Sequence, residues 1–384
     1  MIKKFSFFNS IVAFIFCLPL CSMAQTTQSD GKRINTIKTA APFLLITPDA
    51  RSGAMGDVGV AISPDANSMH WNPAKLAFLV KPTGFSASYT PWLRNLVPDV
   101  DLGYLTVYHR LDSRNTIGGG LRYFSYGSIQ LTDNSQNDIG IYSPNEFSVE
   151  GTFSRKFGNN FSLGTSIRYI RSSLSNGQFN GQDIQPATAL ASDASAYYKN
   201  GTVIFGTDAE LALGINISNI GSKMSYSDNG TKSFLPTNMK IGTASTFMLD
   251  DLSTLTFALD LNKLLVPTNP VRDVDGKIIK GKDPDRSVPA AIFGSFSDAP
   301  GGFSEEWSEI SYSMGAEYWY NKQFALRSGY FYETPTKGDR RYFTVGAGLK
   351  YNVFNLDFAY LLANQQTSPL AQTIRFSLVF NFEK

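Results

Sequence analysis

Residues 374–382 read IRFSLVFNF, and this stretch decides the fold. Ile374, Phe376, Leu378, Phe380 and Phe382 fall on one face, and Arg375, Ser377, Val379 and Asn381 on the other. That is the period-two alternation of a strand with two unlike sides. At the edge of an open sheet, such a row of apolar side chains beside unpaired backbone would promote aggregation. In a closed barrel the strand is paired on both sides, its apolar face meets lipid, and its polar face lines the lumen. The run stops two residues short of Lys384, as the aromatic-ended closing strand of an outer-membrane barrel does.

The pattern recurs upstream. Phe161, Leu163, Thr165, Ile167 and Tyr169 oppose Ser162, Gly164, Ser166 and Arg168. Leu255, Phe257, Leu259 and Leu261 oppose Thr256, Ala258 and Asp260, and Phe354, Leu356, Phe358 and Tyr360 oppose Asn355, Asp357 and Ala359. About fourteen such runs lie between residues 83 and 382, and an even count is expected of a bacterial barrel. Connections alternate in length. Those at 111–115, 157–159, 248–252, 321–322 and 352 are short, and those at 128–144, 173–187, 220–237 and 362–371 are long. Short turns belong to the periplasm and long loops to the outside, whereas a β-sandwich gives no reason for this parity. Charged residues make up 17% of the chain, below the usual ~25%. With 13% aromatics, this suits an outer face in lipid. The expected fold is all-β: a 14-stranded antiparallel outer-membrane β-barrel with an N-terminal plug inside the lumen.

The plug is read from residues 43–79, which do not alternate. They hold Gly53, Ala54, Gly56 and Gly59, helix-start signals and an Asn72-Pro73 turn. The domain reading is therefore 1–24 signal peptide, 25–41 mobile N-terminal segment, 42–80 plug and 81–384 barrel. Lys3 and Lys4, the apolar run 5–20 and Ser22-Met23-Ala24 make the signal peptide, with cleavage expected near Ala24. Leu20 before Cys21 argues against lipidation. Cys17 and Cys21 both lie in the removed piece, leaving a mature chain without cysteine. Losing Lys3 and Lys4 takes the formal net charge from +2 to zero, which argues against nucleic acid as partner.

The connection at 263–309 is the longest and, by parity, extracellular. A loop of this length is usually functional or disordered. Its Ala290, Ile292, Phe293, Phe296, Phe303 and Trp307 favour an ordered surface packed on something. Together with the apolar turn containing Tyr89, Trp92 and Leu93, Ile292, Phe293, Phe296, Phe303 and Trp307 are the candidate partner-binding residues, because exposed apolar patches mark partners.

Three stretches carry a family resemblance. The first runs from Ala41-Pro42-Phe43-Leu44-Leu45 through Asp49-Ala50-Arg51 and Met55-Gly56-Asp57 to Trp71-Asn72-Pro73-Ala74-Lys75. The second is Gly281-Lys282-Asp283-Pro284-Asp285-Arg286-Ser287-Val288-Pro289 with Phe293-Gly294-Ser295-Phe296. The third joins Glu317-Tyr318-Trp319-Tyr320 to Phe324-Ala325-Leu326-Arg327. The chain resembles the PorV (LptO) family of the type IX secretion system, within the FadL-like barrel superfamily, over essentially its whole length from about residue 40. The resemblance implies an outer-membrane protein of a Gram-negative, Bacteroidetes-type bacterium that is not an enzyme. It implies association with the translocon barrel, binding of the C-terminal signal domain of secreted cargo, and delivery to a sortase-like attachment complex, among outer-membrane lipids and lipopolysaccharide. Asp49, Arg51, Trp71 and Asn72 then fix the plug to the lumen wall. The alternatives are a FadL-like transporter of hydrophobic small molecules and a lipopolysaccharide deacylase.

The residues offer little chemistry of their own. Neither His70 nor His109 has the spacing of a catalytic motif, and no serine elbow is present. Asp273, Asp275 and Asp283 lack calcium-loop spacing. No catalytic residue, metal site or cofactor is expected. Arg122, Glu150, Arg168, Glu210, Asp260, Glu317, Asp357 and Arg375 are expected on lumen faces as a mixed-sign network. Tyr104, Tyr108, Tyr123, Tyr169, Tyr318, Tyr320, Tyr330 and Tyr360 are expected to form interfacial girdles.

Overall fold

The computed structural model describes residues 34–92, 99–132, 138–174, 177–179, 182–227, 230–363 and 373–383. The signal-like segment and Leu93 lie outside them.

Alternation along the chain resolves into fourteen strands that close on themselves. They are β1 (Thr83–Pro91), β2 (Val100–Arg110), β3 (Asn115–Tyr126), β4 (Asn145–Phe157), β5 (Phe161–Ser173), β6 (Ala187–Ile204) and β7 (Thr207–Gly221). The second half is β8 (Asn238–Met248), β9 (Ser253–Leu264), β10 (Ser311–Tyr320), β11 (Phe324–Tyr332), β12 (Arg341–Tyr351), β13 (Phe354–Ala363) and β14 (Ile374–Phe382). Each strand pairs antiparallel with its neighbours in sequence, and β14 pairs with β1, placing Phe380 opposite Phe85. Those two rings stack at 4.5 Å. Among the described residues no helix is long and apolar enough to cross a membrane. The strands do the crossing, and closure pairs every edge, as a lipid environment demands.

Strands β6 and β7 run longer than their apolar alternation. Pairing continues from Asn200 opposite Leu211 to Ile204 opposite Thr207. The joining residues Phe205 and Gly206 both have positive φ, the two-residue hairpin geometry that matches strand twist. Backbone pairing needs no apolar face, so it outruns the lipid-facing pattern.

Two tyrosines depart from the expected girdle. Tyr104 and Tyr108 are buried in the lumen, where their hydroxyls donate to Glu150 Oε1 (3.0 Å) and Asn381 Oδ1 (2.9 Å). On β2 both faces are apolar, with Leu102, Tyr104 and Tyr108 on one and Leu105 and Val107 on the other. Alternation there gives the period but not the sign. Tyr123, Tyr169 and Tyr320 do face outward and are exposed.

Inside the barrel the chain is built from short pieces: a 3₁₀ turn (Pro42–Leu45), α1 (Ala50–Gly53), α2 (Ser68–Trp71) and a second 3₁₀ segment (Pro73–Phe78). Asp49 caps α1 by accepting from Ser52 N, and Asn72 caps the last segment by accepting from Ala74 N, as Asp and Asn do at N-caps. Phe43 and Leu44 pack with Leu102, Phe124 and Ile170. Met55, Val58 and Ile62 pack with Tyr197, and Met69 and Leu76 with Tyr108 and Val379.

Residues 34–41 were expected in a mobile segment, and the structure corrects this. Asn35, Ala40 and Ala41 are buried. Asn35 N donates to Thr336 O (2.9 Å) and Ala40 N to Phe234 O (2.8 Å). A polar run reads as solvated when its backbone partners lie far away in sequence.

Candidate functional site

The plug is held by fixings to strands around the wall. Arg51 is the most heavily used. Its Nε and Nη2 donate to the two carboxylate oxygens of Glu317 on β10 at 2.9 and 2.7 Å, and its Nη1 and Nη2 reach Ser63 and Asp65. This fork-on-carboxylate geometry is the strongest kind of charge-assisted pair. Glu317 also accepts from Arg327 Nε at 2.7 Å, and Arg327 Nη1 donates to Asp357 on β13 at 2.7 Å. A second buried network lies on the other wall, where Arg168 pairs with Glu150 and Asp193. Asp260 on β9 accepts from Gly59 N and Val60 N at 2.8 and 3.0 Å, while Ser377 Oγ on β14 accepts from Ala50 N at 2.8 Å.

The other named fixings divide. Asn72 Nδ2 donates to Ala196 O on β6 at 3.0 Å. Trp71 reaches the wall through its carbonyl, which accepts from Asn216 on β7 at 3.1 Å. Its indole Nε1 turns inward and donates to Asp49 Oδ1 at 2.7 Å. Asp49 thus ties the plug to itself. Lys75, part of the Trp71–Lys75 motif but not among the expected fixings, is buried and donates to Gly59 O at 2.6 Å. Burial draws its ammonium down to about 8, since desolvation disfavours the charged form. His70 accepts from Arg122 Nη2 through Nδ1 at 2.7 Å, so its proton sits on Nε2. Burial first, then Arg122, Lys240 and Arg168, hold it well below the ordinary histidine range.

Plug backbone also lies directly on wall glycines. A Cβ at Gly329 would stand 2.0 Å from Met55 C, and one at Gly164 would stand 2.3 Å from Ala74 N. These glycines serve close approach. Gly329→Val is expected to destabilise the plugged state by at least about 1–3 kcal/mol, the ordinary range for overpacking. Thermal unfolding of the purified barrel should fall accordingly, and an unchanged melt would refute the close contact.

At the opposite end of the strands from the short turns, the 263–309 connection is ordered. A two-stranded hairpin (Val271–Arg272 with Ile278–Lys280) precedes α3 (Val288–Gly294) and α4 (Phe303–Ser308). Helix α4 has two sides. Glu306 accepts from Asp298 N and Ala299 N and pairs with Lys263, which also pairs with Glu309. Lys337 joins Glu305 to Glu309 at 2.6 and 3.0 Å. One helical turn apart, Phe303 and Trp307 point away from this network and are 82% and 59% exposed. Phe293 is 80% exposed, Phe296 half-exposed and Ile292 partly buried.

Tyr89 and Trp92 behave otherwise. Tyr89 is on the outer face, donating to Asp101 at 2.6 Å. Trp92 packs inward on the cluster around Phe43 and Leu44, which corrects its expected place on a docking surface. Below it lies a cavity of about 920 Å³ bounded by Ile37, Phe43, Trp92, Phe124, Phe331 and Tyr342, among others.

A family model described as "Type IX secretion system protein PorV" matches residues 28–271. The chain belongs to the PorV family. No curated protein matches it by sequence. Among solved structures, this PorV-family barrel is similar to the Pseudomonas putida toluene transporter TodX, at 13% identity and TM-score 0.51, covering 92% of this chain and all of the other. A TodX deltaS2S3 mutant, a monoaromatic hydrocarbon channel, aligns at 14% identity and TM-score 0.50 over 87% and 99% of the two chains. The Ralstonia pickettii toluene transporter TbuX gives 14%, 0.49, 87% and 98%. At this identity the first two support the FadL-like fold and nothing finer. Family and fold together make the PorV-family chain an outer-membrane component of type IX secretion.

Proposed function

We propose that the barrel is an adaptor of type IX secretion. It associates with the translocon barrel, binds the C-terminal signal domain of cargo, and hands the cargo to a sortase-like attachment complex. The observation that carries this reading is α4, braced from beneath by Lys263 and Lys337 while Phe303 and Trp307 stand in solvent. Ordered aromatic groups displayed on a rigid base are what a protein partner uses as hot spots. A plug bonded to so many strands supports the same reading, since it leaves the activity to loops and outer surface.

The test substitutes serine for both Phe303 and Trp307, which leaves the bracing carboxylates in place. Folded barrel should reach the membrane in normal amount. Co-purified translocon barrel or cargo signal domain should fall at least about tenfold, since hot-spot residues are worth about 2 kcal/mol or more each, and secretion should fall with it. Unchanged co-purification and secretion would sink the adaptor reading.

Phe43, Trp92, Phe124, Phe331 and Tyr342 line part of the 920 Å³ cavity, beside Lys240, Glu333, Arg340 and Arg375, and this aromatic part supports a second reading, transport of hydrophobic small molecules. Uptake of a labelled fatty acid into liposomes bearing the purified protein separates the two. The adaptor takes up none.

A further inference from the structure

The segment 34–40 lies at the loop end of the barrel, not the turn end. Its partners identify the place. Asn35 N donates to Thr336 O in the β11–β12 loop, and Asn35 Nδ2 donates to Asn269 O (3.1 Å) and Glu305 Oε1 (2.9 Å) in the β9–β10 connection. Asn269 Nδ2 returns a bond to Thr36 O at 3.1 Å, and Ala40 N donates to Phe234 O in the β7–β8 loop. The segment therefore spans three long loops before Phe43 and Leu44 enter the core. At the far end of the plug, Arg110 donates to Val80 O at 2.7 Å beside the β2–β3 turn. From residue 34 to residue 80 the chain passes down the lumen from loop end to turn end.

We infer that residues 34–40 form a strap laid on from the cell-surface side, and that the strap clasps α4 to the plug so that the two move as one body. This rests on the adaptor reading only for what α4 does. The route and the clasp stand on their own geometry.

Asn35 is buried, yet its neighbour Ile34 is 72% exposed. The segment is thus pinned at Asn35 and open to solvent immediately before it. Asn35 shares the Glu305 carboxylate oxygen with Lys337. One side chain thereby meets the acidic underside of α4 and the loop that braces it. Ile37 and Lys38 roof the cavity above the plug. Moving α4 outward breaks the Asn35–Glu305 bond, and pulling the strap pulls on Glu305. Two elements that share fixings in this way are a coupled unit in the physical sense, with differential contacts to name.

Long loops of an outer-membrane barrel face the outside, so the route predicts surface access to Ile34. The experiment uses a full chain with Cys17 and Cys21 replaced by serine and one cysteine introduced at a time. Ile34→Cys should react with a membrane-impermeant maleimide in intact cells as fully as Phe303→Cys does. Lys322→Cys, at a short turn, should react only after lysis. If Ile34→Cys behaves like Lys322→Cys, the route is wrong.

The clasp is read separately, by hydrogen exchange on purified protein in detergent. Asn35→Ala should raise exchange of amides in Phe303–Ser308 and in the β11–β12 loop at least tenfold, while the barrel strands stay protected. Asn269→Ala removes only the bond to Thr36 and should give a smaller rise in the same places. Unchanged exchange in α4 for both variants overturns the clasp. Neither arm reads secretion, so the strap and the adaptor reading fail independently.

Discussion

Arg51→Ala is expected to turn a sealed barrel into a leaky one. Arg51 is buried, and it is the cation that joins the plug to Glu317 and, through it, to Arg327 and Asp357. Removing it leaves Glu317 and Asp357 sharing Arg327 and strips Asp65 of its ion-pair partner, though not of its bonds from Asn67 N and Ser68 Oγ. Breaking a buried pair by deleting one member costs about 3–5 kcal/mol, because the remaining charge stays desolvated. The cost falls on the plugged state alone, since an opened lumen would let water reach Glu317. The wild-type barrel in liposomes should hold small solutes, and Arg51→Ala should release them. Arg51→Met with Glu317→Met should recover part of the seal, because replacing both members of a buried pair with apolar groups of similar size is often neutral. An Arg51→Ala barrel as tight and as heat-stable as wild type would show that the plug is held by its backbone contacts, not by this network.

Much of this was legible because a barrel writes itself in period two. Ile374–Phe382 announces its two faces, and the alternation of short turns with long loops sets the ends. Where both faces carry apolar groups, as on β2, the period survives and the sign is lost, which is why Tyr104 and Tyr108 looked like girdle residues. Arg51 was reached through the family resemblance, as part of Asp49-Ala50-Arg51. Lys75 was not expected as a fixing, although it is more deeply buried, because a lysine beside Asn-Pro-Ala also reads as an exposed end of a helix. Its partner is a backbone carbonyl sixteen residues away, and a carbonyl has no signature in sequence. The strap was invisible for the same reason. Asn35 is an ordinary polar residue until Thr336, Asn269 and Glu305 are brought to it. Periodic features are local and can be read, whereas fixings between distant segments need the fold. The bracing of α4 lies between. Glu305, Glu306 and Glu309 against Phe303 and Trp307 is a helical pattern, but Lys263 and Lys337 come from other elements.

Leu378→Arg is expected to cost the barrel its closure. Leu378 sits mid-strand on β14, opposite Ala87 of β1 and Leu356 of β13, on the face that also carries Phe376 and Phe380. A charged arginine on the lipid face near the bilayer midplane costs about 2–4 kcal/mol. Here it falls on the seam where the first and last strands meet, so the loss acts on the pairing that closes the ring. The same strand tolerates an arginine three residues earlier. Arg375 is buried on the inner face, in reach of Asp57 at 3.8 Å. Face, not charge or strand, decides the outcome. Leu378→Met keeps volume and apolarity and should assemble normally. The readout is the heat-modifiable folded band from outer-membrane fractions, expected to be lost for Leu378→Arg and retained for Leu378→Met. A Leu378→Arg barrel that folds and melts like wild type would mean that the β14–β1 seam is covered by protein in the membrane, and would place a partner on that wall.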